Sequence, residues 1–131
     1  MSSEFNDLHD YTLAAWSVDH ASWTMVFDIY QPEQSVHQTF EGVRNWYVNA
    51  VRSPVGVLEL RAWEINPTLL DDHMALQSWT RLFGYECSSD KIRAYAIPII
   101  EENLGNQLVM IETVDGGTVD LICERLGQRS L

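Results

Sequence analysis

The chain has 131 residues, of which 46% are apolar and 21% are charged, a composition typical of a folded domain rather than a disordered segment. Nineteen acidic residues against eight basic ones give a net charge of −11, and the few cations form no cluster. Nucleic acids and anionic membranes are bound through clustered lysines and arginines, so this composition disfavours both as direct partners.

The length and composition predict a single domain over residues 1–131, with frayed ends at 1–8 and 127–131. A chain of this size can bury one core without disulfides or a metal. No apolar run reaches the ~18 residues that a membrane span needs. The acidic N-terminus, MSSEFNDLHD, lacks the basic start and the apolar stretch of a signal peptide. We therefore expect a cytoplasmic protein.

The first elements expected are a β-hairpin and a helix. Residues 10–17 and 22–30 are rich in strand formers, and Asp19 lies between them in a segment that tolerates a turn. Over 35–51 the apolar residues recur at intervals of three and four, which predicts an amphipathic helix.

The middle of the chain predicts a strand followed by a second helix. Residues 55–65 alternate, with Leu58, Leu60 and Ala62 on one face and Glu59, Arg61 and Trp63 on the other. Asn66-Pro67-Thr68 then opens a helix that runs to Gly84, with Thr68 and Asp71 resembling a capping box.

The last part of the chain predicts a hairpin and leaves one segment open. Residues 91–100 are compatible with a helix or a strand, and Pro98 together with the β-branched residues favours an edge strand. Residues 107–114 and 118–125 flank Asp115-Gly116-Gly117, a strong hairpin signal. The resulting order, β-β-α-β-α-β-β-β, predicts an α+β fold with a mostly antiparallel sheet and two helices packed on one face.

Catalytic and metal-binding patterns are missing from the sequence. The histidines do not pair at a ligand spacing, and there is no nucleophile elbow or phosphate loop. Cys87 and Cys123 are too isolated for a disulfide framework and are expected to be free thiols, with Cys123 in the core. We therefore expect no catalytic residue, no metal site and no cofactor.

A contact surface is the functional feature that the sequence does suggest. Trp63 shares its strand face with Glu59 and Arg61, and tryptophan and arginine are common anchors of protein interfaces. The alternative is that Trp63 packs under another element. The residues expected to bind a partner are Trp63, Glu59, Arg61, Asp28, Asp120 and Glu124.

Three functions remain open. The first is a non-enzymatic protein-binding module, such as an inhibitor or immunity-type protein whose acidic surface neutralises a basic partner. The second is an enzyme or small-ligand binder with a pocket between sheet and helices. The third is a homo-oligomeric structural subunit. Residues considered for the pocket of the second are Tyr11, Trp23, Asp28 and His73.

Overall fold

The structure is a computed structural model, and it describes residues 4–6, 12–31, 34–49, 55–82 and 89–130. The strands of these segments are β1 (Glu4–Asn6), β2 (Thr12–Asp19), β3 (Thr24–Gln31), β4 (Gln34–Glu41), β5 (Asn45–Asn49), β6 (Val55–Glu64), β7 (Gln107–Thr113), β8 (Thr118–Cys123) and β9 (Arg125–Ser130). The helices are a short 3-10 helix (Pro67–Asp71), α1 (His73–Leu82) and α2 (Ser89–Glu102). No helix in these segments is long and apolar enough to cross a membrane.

The strands form two antiparallel sheets. The first sheet has the order β5-β8-β7-β6, with β1 added to β6, and the second has the order β2-β3-β4-β9. A short stretch of pairing between β6 and β2 joins the two sheets. The fold is therefore α+β and mostly antiparallel, as the sequence predicted.

Two bent segments of the chain also join the two sheets, on the side away from the pairing of β6 with β2. β4 runs on into β5, and β8 runs on into β9, while β4 pairs with β9 and β5 pairs with β8. Both segments pass from one sheet to the other side by side, and the Glu124 N–H donates to the Glu41 carbonyl at 2.9 Å within the bend. The hydrogen-bonded ladder therefore closes into a ring, like a flattened barrel.

Two apolar cores lie on opposite faces of the first sheet. The inner core fills the space between the sheets and includes Phe27, Phe40 and Leu121. The outer core lies between the first sheet and both helices, where Trp63 packs in one cluster with Trp79 of α1 and with buried residues of α2. Both helices thus cover the same sheet face, which confirms the expected arrangement.

The helix predicted over 35–51 is wrong, because this segment forms β4 and β5. The apolar residues of this segment recur at intervals of three and four, and two short strands with a corner between them produce the same intervals. The corner is at Gly42, where φ is +66°. The segment's many β-branched and aromatic residues favour strands. Gln38 of β4 is buried, and its amide donates to the Gly127 carbonyl at 3.0 Å.

The edge strand favoured for 91–100 is also wrong, because these residues belong to α2. Ile92, Ala96 and Ile100 recur every fourth residue and are all buried in the outer core. Pro98 lies on the exposed side of α2, where water can bind the carbonyl that its missing N–H leaves free.

Other predicted elements are confirmed, with adjusted ends. Both hairpins form, and Gly116 in the second turn has φ +92°. The second helix is divided into the 3-10 helix and α1. Asn66 caps the first of these, and the Asp72 carboxylate accepts the Ala75 N–H at 3.0 Å at the start of the second.

Both ends of the described chain contribute a strand, including residues 127–130, for which the sequence predicted fraying. These residues lie in β9, whose whole length pairs with β4. At the other end, Glu4–Asn6 pairs with β6 as β1. Neither end of the sequence shows an alternation of apolar and polar residues that would predict a strand. The pairing depends on backbone hydrogen bonds to the partner strand, and these do not require particular side chains.

Candidate functional site

The residues predicted to form a contact face on β6 are covered to different extents by the helices. Trp63 is fully buried, because α1 and α2 cover the face of β6 that carries it. Trp63 therefore packs under other elements, which is the alternative to an exposed face that the sequence left open. Glu59 and Arg61 lie on the same face, half-buried, and the Arg61 guanidinium donates to the Glu59 carboxylate.

Asp120, one of the residues predicted to bind a partner, is buried under α1. Its carboxylate accepts from Ser78 Oγ at 2.6 Å and from Arg81 Nε at 2.7 Å. Burial raises the pKa of Asp120, although the bonds from Arg81 and Ser78 oppose that effect. This group holds α1 against β8 and cannot reach a partner.

The remaining two predicted binding residues lie in different places. Asp28 is half-buried in the middle of β3. Glu124 is exposed at the bend between β8 and β9, and its carboxylate accepts from Arg44 Nη2 at 3.1 Å. Of the six residues predicted to bind a partner, only Glu124 lines the cavity described next.

A cavity of about 490 Å³ opens where three chain segments meet. These segments are the β2–β3 turn, the β4–β5 corner and the β8–β9 bend. The Val43 N–H donates to the Trp23 carbonyl at 2.9 Å and fixes the turn against the corner. We call this cavity the indole groove; its lining residues are Ser22, Trp23, Thr24, Glu41, Gly42, Val43, Arg44, Glu124 and Arg125.

Trp23 is the most distinctive residue of the indole groove. Its φ of +51° places it in the left-handed region, which is a genuine outlier for a bulky side chain. Its side chain is nevertheless 47% exposed, with the His20 ring edge-on at 5.6 Å and the Trp46 ring at 6.0 Å between centroids. Strained residues of this kind cluster at functional sites, which makes this one a candidate for binding.

Trp46 extends the aromatic surface from the groove onto β5. Its side chain is 37% exposed, and it lies opposite Leu121 of β8 in the sheet register. Two adjacent indoles that remain accessible offer a rigid apolar surface with polar N–H groups at its rim.

Two ion pairs form the polar walls of the indole groove. Arg44 pairs with Glu124, and Arg125 Nη2 donates to Glu41 Oε1 at 3.3 Å. All four side chains remain substantially exposed, so each pair contributes less than about 1 kcal/mol to stability. Such weak pairs can exchange one partner for a ligand at little cost.

The sequence contained only weak signals for this groove. Trp23 belongs to the strand predicted over 22–30, but it lies one residue before β3 begins. Trp46 was assigned to a helix that does not form. Gly42, followed by a run rich in β-branched and aromatic residues, is the signal that could have indicated a strand corner at this point.

The other residues considered for chemistry do not converge in the described segments. His73 is exposed at the start of α1 and contacts Gln77, while Tyr11 and Cys87 lie outside the described residues. Of the residues considered for a pocket, Trp23 alone lines the indole groove. No group of three or more potential metal ligands is found among the residues that the structure describes.

Comparison with known proteins finds no relative. No family model, no curated protein and no solved structure matches this chain. The chemistry of the indole groove is therefore the basis on which a function is inferred.

Proposed function

We propose that this protein is a non-enzymatic binding module that docks a basic segment of a partner protein in the indole groove. The observation that carries the proposal is the exposed pair of Trp23 and Trp46, with Trp23 held in a strained conformation at the groove. Exposed tryptophans are common hot spots of protein interfaces, and the face of an indole ring attracts a guanidinium or ammonium group.

The charge of the whole chain supports a cationic partner. A net charge of −11 produces a negative field that accelerates encounter with basic proteins. Within the groove, Glu41 and Glu124 already bind exposed arginines of this chain. An incoming arginine can replace either internal partner while its guanidinium stacks on an indole.

An inhibitor or immunity-type protein is the form of this function that we favour. Such a protein acts by occupying its partner, and a rigid aromatic groove with polar walls is sufficient for that role. A cytoplasmic location is part of this proposal.

The proposal is tested by selecting peptides from a random displayed library on the wild-type protein and measuring their affinities by calorimetry. We expect the selected peptides to be rich in arginine and lysine. Trp23→Ala and Trp46→Ala should each weaken binding by about tenfold or more, as truncated hot spots do. Affinity should also fall as the NaCl concentration rises.

Trp16→Ala is the matched control. Trp16 is 37% exposed, like Trp46, but its ring stacks on Phe27 and does not line the indole groove. Its replacement should change peptide affinity by less than about threefold. Selected peptides without basic residues, or equal weakening by all three substitutions, would contradict the proposal.

A further inference from the structure

We infer that the bound segment is extended and adds to the outer edge of β5 as a further strand of the first sheet. This inference rests on the proposed function and specifies how the partner is held. β5 pairs along its whole length with β8 on one side. In the described part of the chain, no strand pairs with its other side.

β5 is short, at five residues, but its outer edge lacks the charges, the proline and the bulge that protect many exposed strands. The sequence Asn45-Trp46-Tyr47-Val48-Asn49 contains no charge and no proline, and its pairing with β8 has no bulge. By contrast β9, whose outer side also has no partner among the described strands, carries Arg125 and Arg129. An unprotected edge is a common site for peptide binding by strand addition.

The exposed indoles lie where a strand added to β5 would place a side chain. Trp46 points to the same sheet face as Leu121 and contacts the Trp23 ring. Neighbouring strands lie about 4.8 Å apart, and directly opposed side chains on one face have Cβ atoms about 5 Å apart. A partner residue opposite Trp46 can therefore lay its side chain over both rings.

Charge favours a basic segment of another protein over a second copy of this chain. Two exposed carboxylates lie near β5, on the side of its paired neighbour β8. Glu124 binds Arg44 next to Asn45, and Asp115 lies in the turn that precedes Thr118, the register partner of Asn49. Pairing two copies edge to edge would bring together two chains that each carry −11. The occupant is therefore a cationic, extended peptide.

The test uses a defined probe, the capped nine-residue peptide Arg-Thr-Arg-Thr-Arg-Thr-Arg-Thr-Arg, in which all arginines share one face of a strand. In a paired strand only every second peptide N–H points to the neighbouring strand. We therefore expect N-methylation of every second nitrogen to weaken binding of the peptide by tenfold or more, and N-methylation of the nitrogens between them to have little effect. Amide hydrogen exchange in Asn45–Asn49 should slow by tenfold or more on binding. Exchange in β9, the matched edge, should not change.

The possible results separate this inference from the proposed function. If Trp23→Ala and Trp46→Ala weaken peptide binding but N-methylation shows no alternation and β5 is not protected, the segment binds through its side chains and strand addition is wrong. If the peptide binds without dependence on either tryptophan, or does not bind at low salt, both proposals fail. A dimer of the free protein with β5 already protected would also overturn the inference.

Discussion

Trp23 shows backbone strain and exposure in the same residue. The left-handed conformation of a non-glycine residue costs about 1–2 kcal/mol. Trp23 contacts His20 and Trp46 with a half-exposed side chain, so the stabilisation from these contacts is about as large as the strain energy. Folding stability therefore gives no strong reason for a tryptophan at this position, whereas the proposed binding of a partner gives one.

We predict that Trp23→Gly changes the free energy of unfolding by less than about 1 kcal/mol, because glycine relieves the strain while the ring contacts are lost. Trp79→Ala, in the outer core, should destabilise the protein by about 3–5 kcal/mol. Urea denaturation of both variants measures the difference. If Trp23→Gly costs as much as Trp79→Ala, the strained tryptophan is a structural residue.

Cys123 provides a pH-dependent prediction at the same scale. Burial in the inner core raises the pKa of its thiol to about 12, from 9.0 in an exposed thiol. Between these values the unfolded chain loses the proton and the folded chain keeps it, so stability falls as the pH rises from 9 towards 12.

Comparison of wild type with Cys123→Ala isolates this effect, because the cost of the missing sulfur does not depend on pH. The stability advantage of the wild type should shrink by about 1.4 kcal/mol between pH 7 and pH 10. Guanidinium denaturation at the two pH values measures it. A constant difference would show that the thiol is accessible to water in the folded state.

At the scale of elements, the β4–β5 corner shapes the indole groove. Gly42 adopts φ +66°, and a Cβ built there would lie 2.6 Å from Cδ of Glu124. Glycine allows both the backbone conformation and the close approach of the two bent segments. The corner therefore determines where β5 begins and where Trp46 points.

We predict that Gly42→Ala destabilises the protein by about 2 kcal/mol, because it adds the left-handed strain of alanine and displaces the Glu124 side chain from Arg44. Gly105→Ala is the matched control, since its φ is +85° and nothing lies within 4 Å of the new Cβ. It should cost about 1 kcal/mol.

The part of this cost that comes from Glu124 can be measured separately. In a Glu124→Ala background, the cost of Gly42→Ala should fall to that of Gly105→Ala, as a double-mutant cycle by urea denaturation would show. An unchanged cost would mean that the two side chains do not compete for the same space.

The two elements whose type was mispredicted show where local pattern is ambiguous. Spacings of three and four over 35–51 suggested a helix, yet the segment forms two strands because its backbone pairs with β3, β8 and β9. In α2 a proline and β-branched residues suggested a strand, yet burial of Ile92, Ala96 and Ile100 against the first sheet favours the helix. In α2 tertiary contacts outweighed local propensity, whereas in 35–51 they agreed with the strand propensity of the residues and only the spacing of three and four was misleading.

At the scale of the whole molecule, charge determines how stability responds to salt. The net charge of −11 implies repulsion among the carboxylates of the folded chain. Glu101 and Glu102 add to this repulsion. Both are exposed at the carboxyl end of α2, where the negative end of the helix dipole also repels them.

We predict that the Tm rises as NaCl increases from 0.01 M to 0.1 M, a change that shortens the Debye length from about 30 to about 10 Å. Replacing Glu101 and Glu102 with glutamine reduces the net charge from −11 to −9 by removing two charges, and should make the rise smaller. Differential scanning calorimetry measures both. A Tm that falls with salt would show that attractive ion pairs dominate instead.

Composition and local pattern were enough to determine the class of this fold. Alternating apolar residues and the Asp115-Gly116-Gly117 turn predicted the hairpins, and hairpins predicted antiparallel sheets. The buried position of Cys123 followed from the same alternation. These features depend on residues close together in the chain, which is why the sequence alone specifies them.

Only the tertiary structure decided which side chains reach solvent. Trp63 and Asp120 lie on strand faces that alternation marks as outward, and the helices then cover those faces. The indole groove arises where three segments distant in sequence meet, so no local pattern shows it. Exposure depends on which element packs over a face, and that depends on how the strands pair across the whole chain.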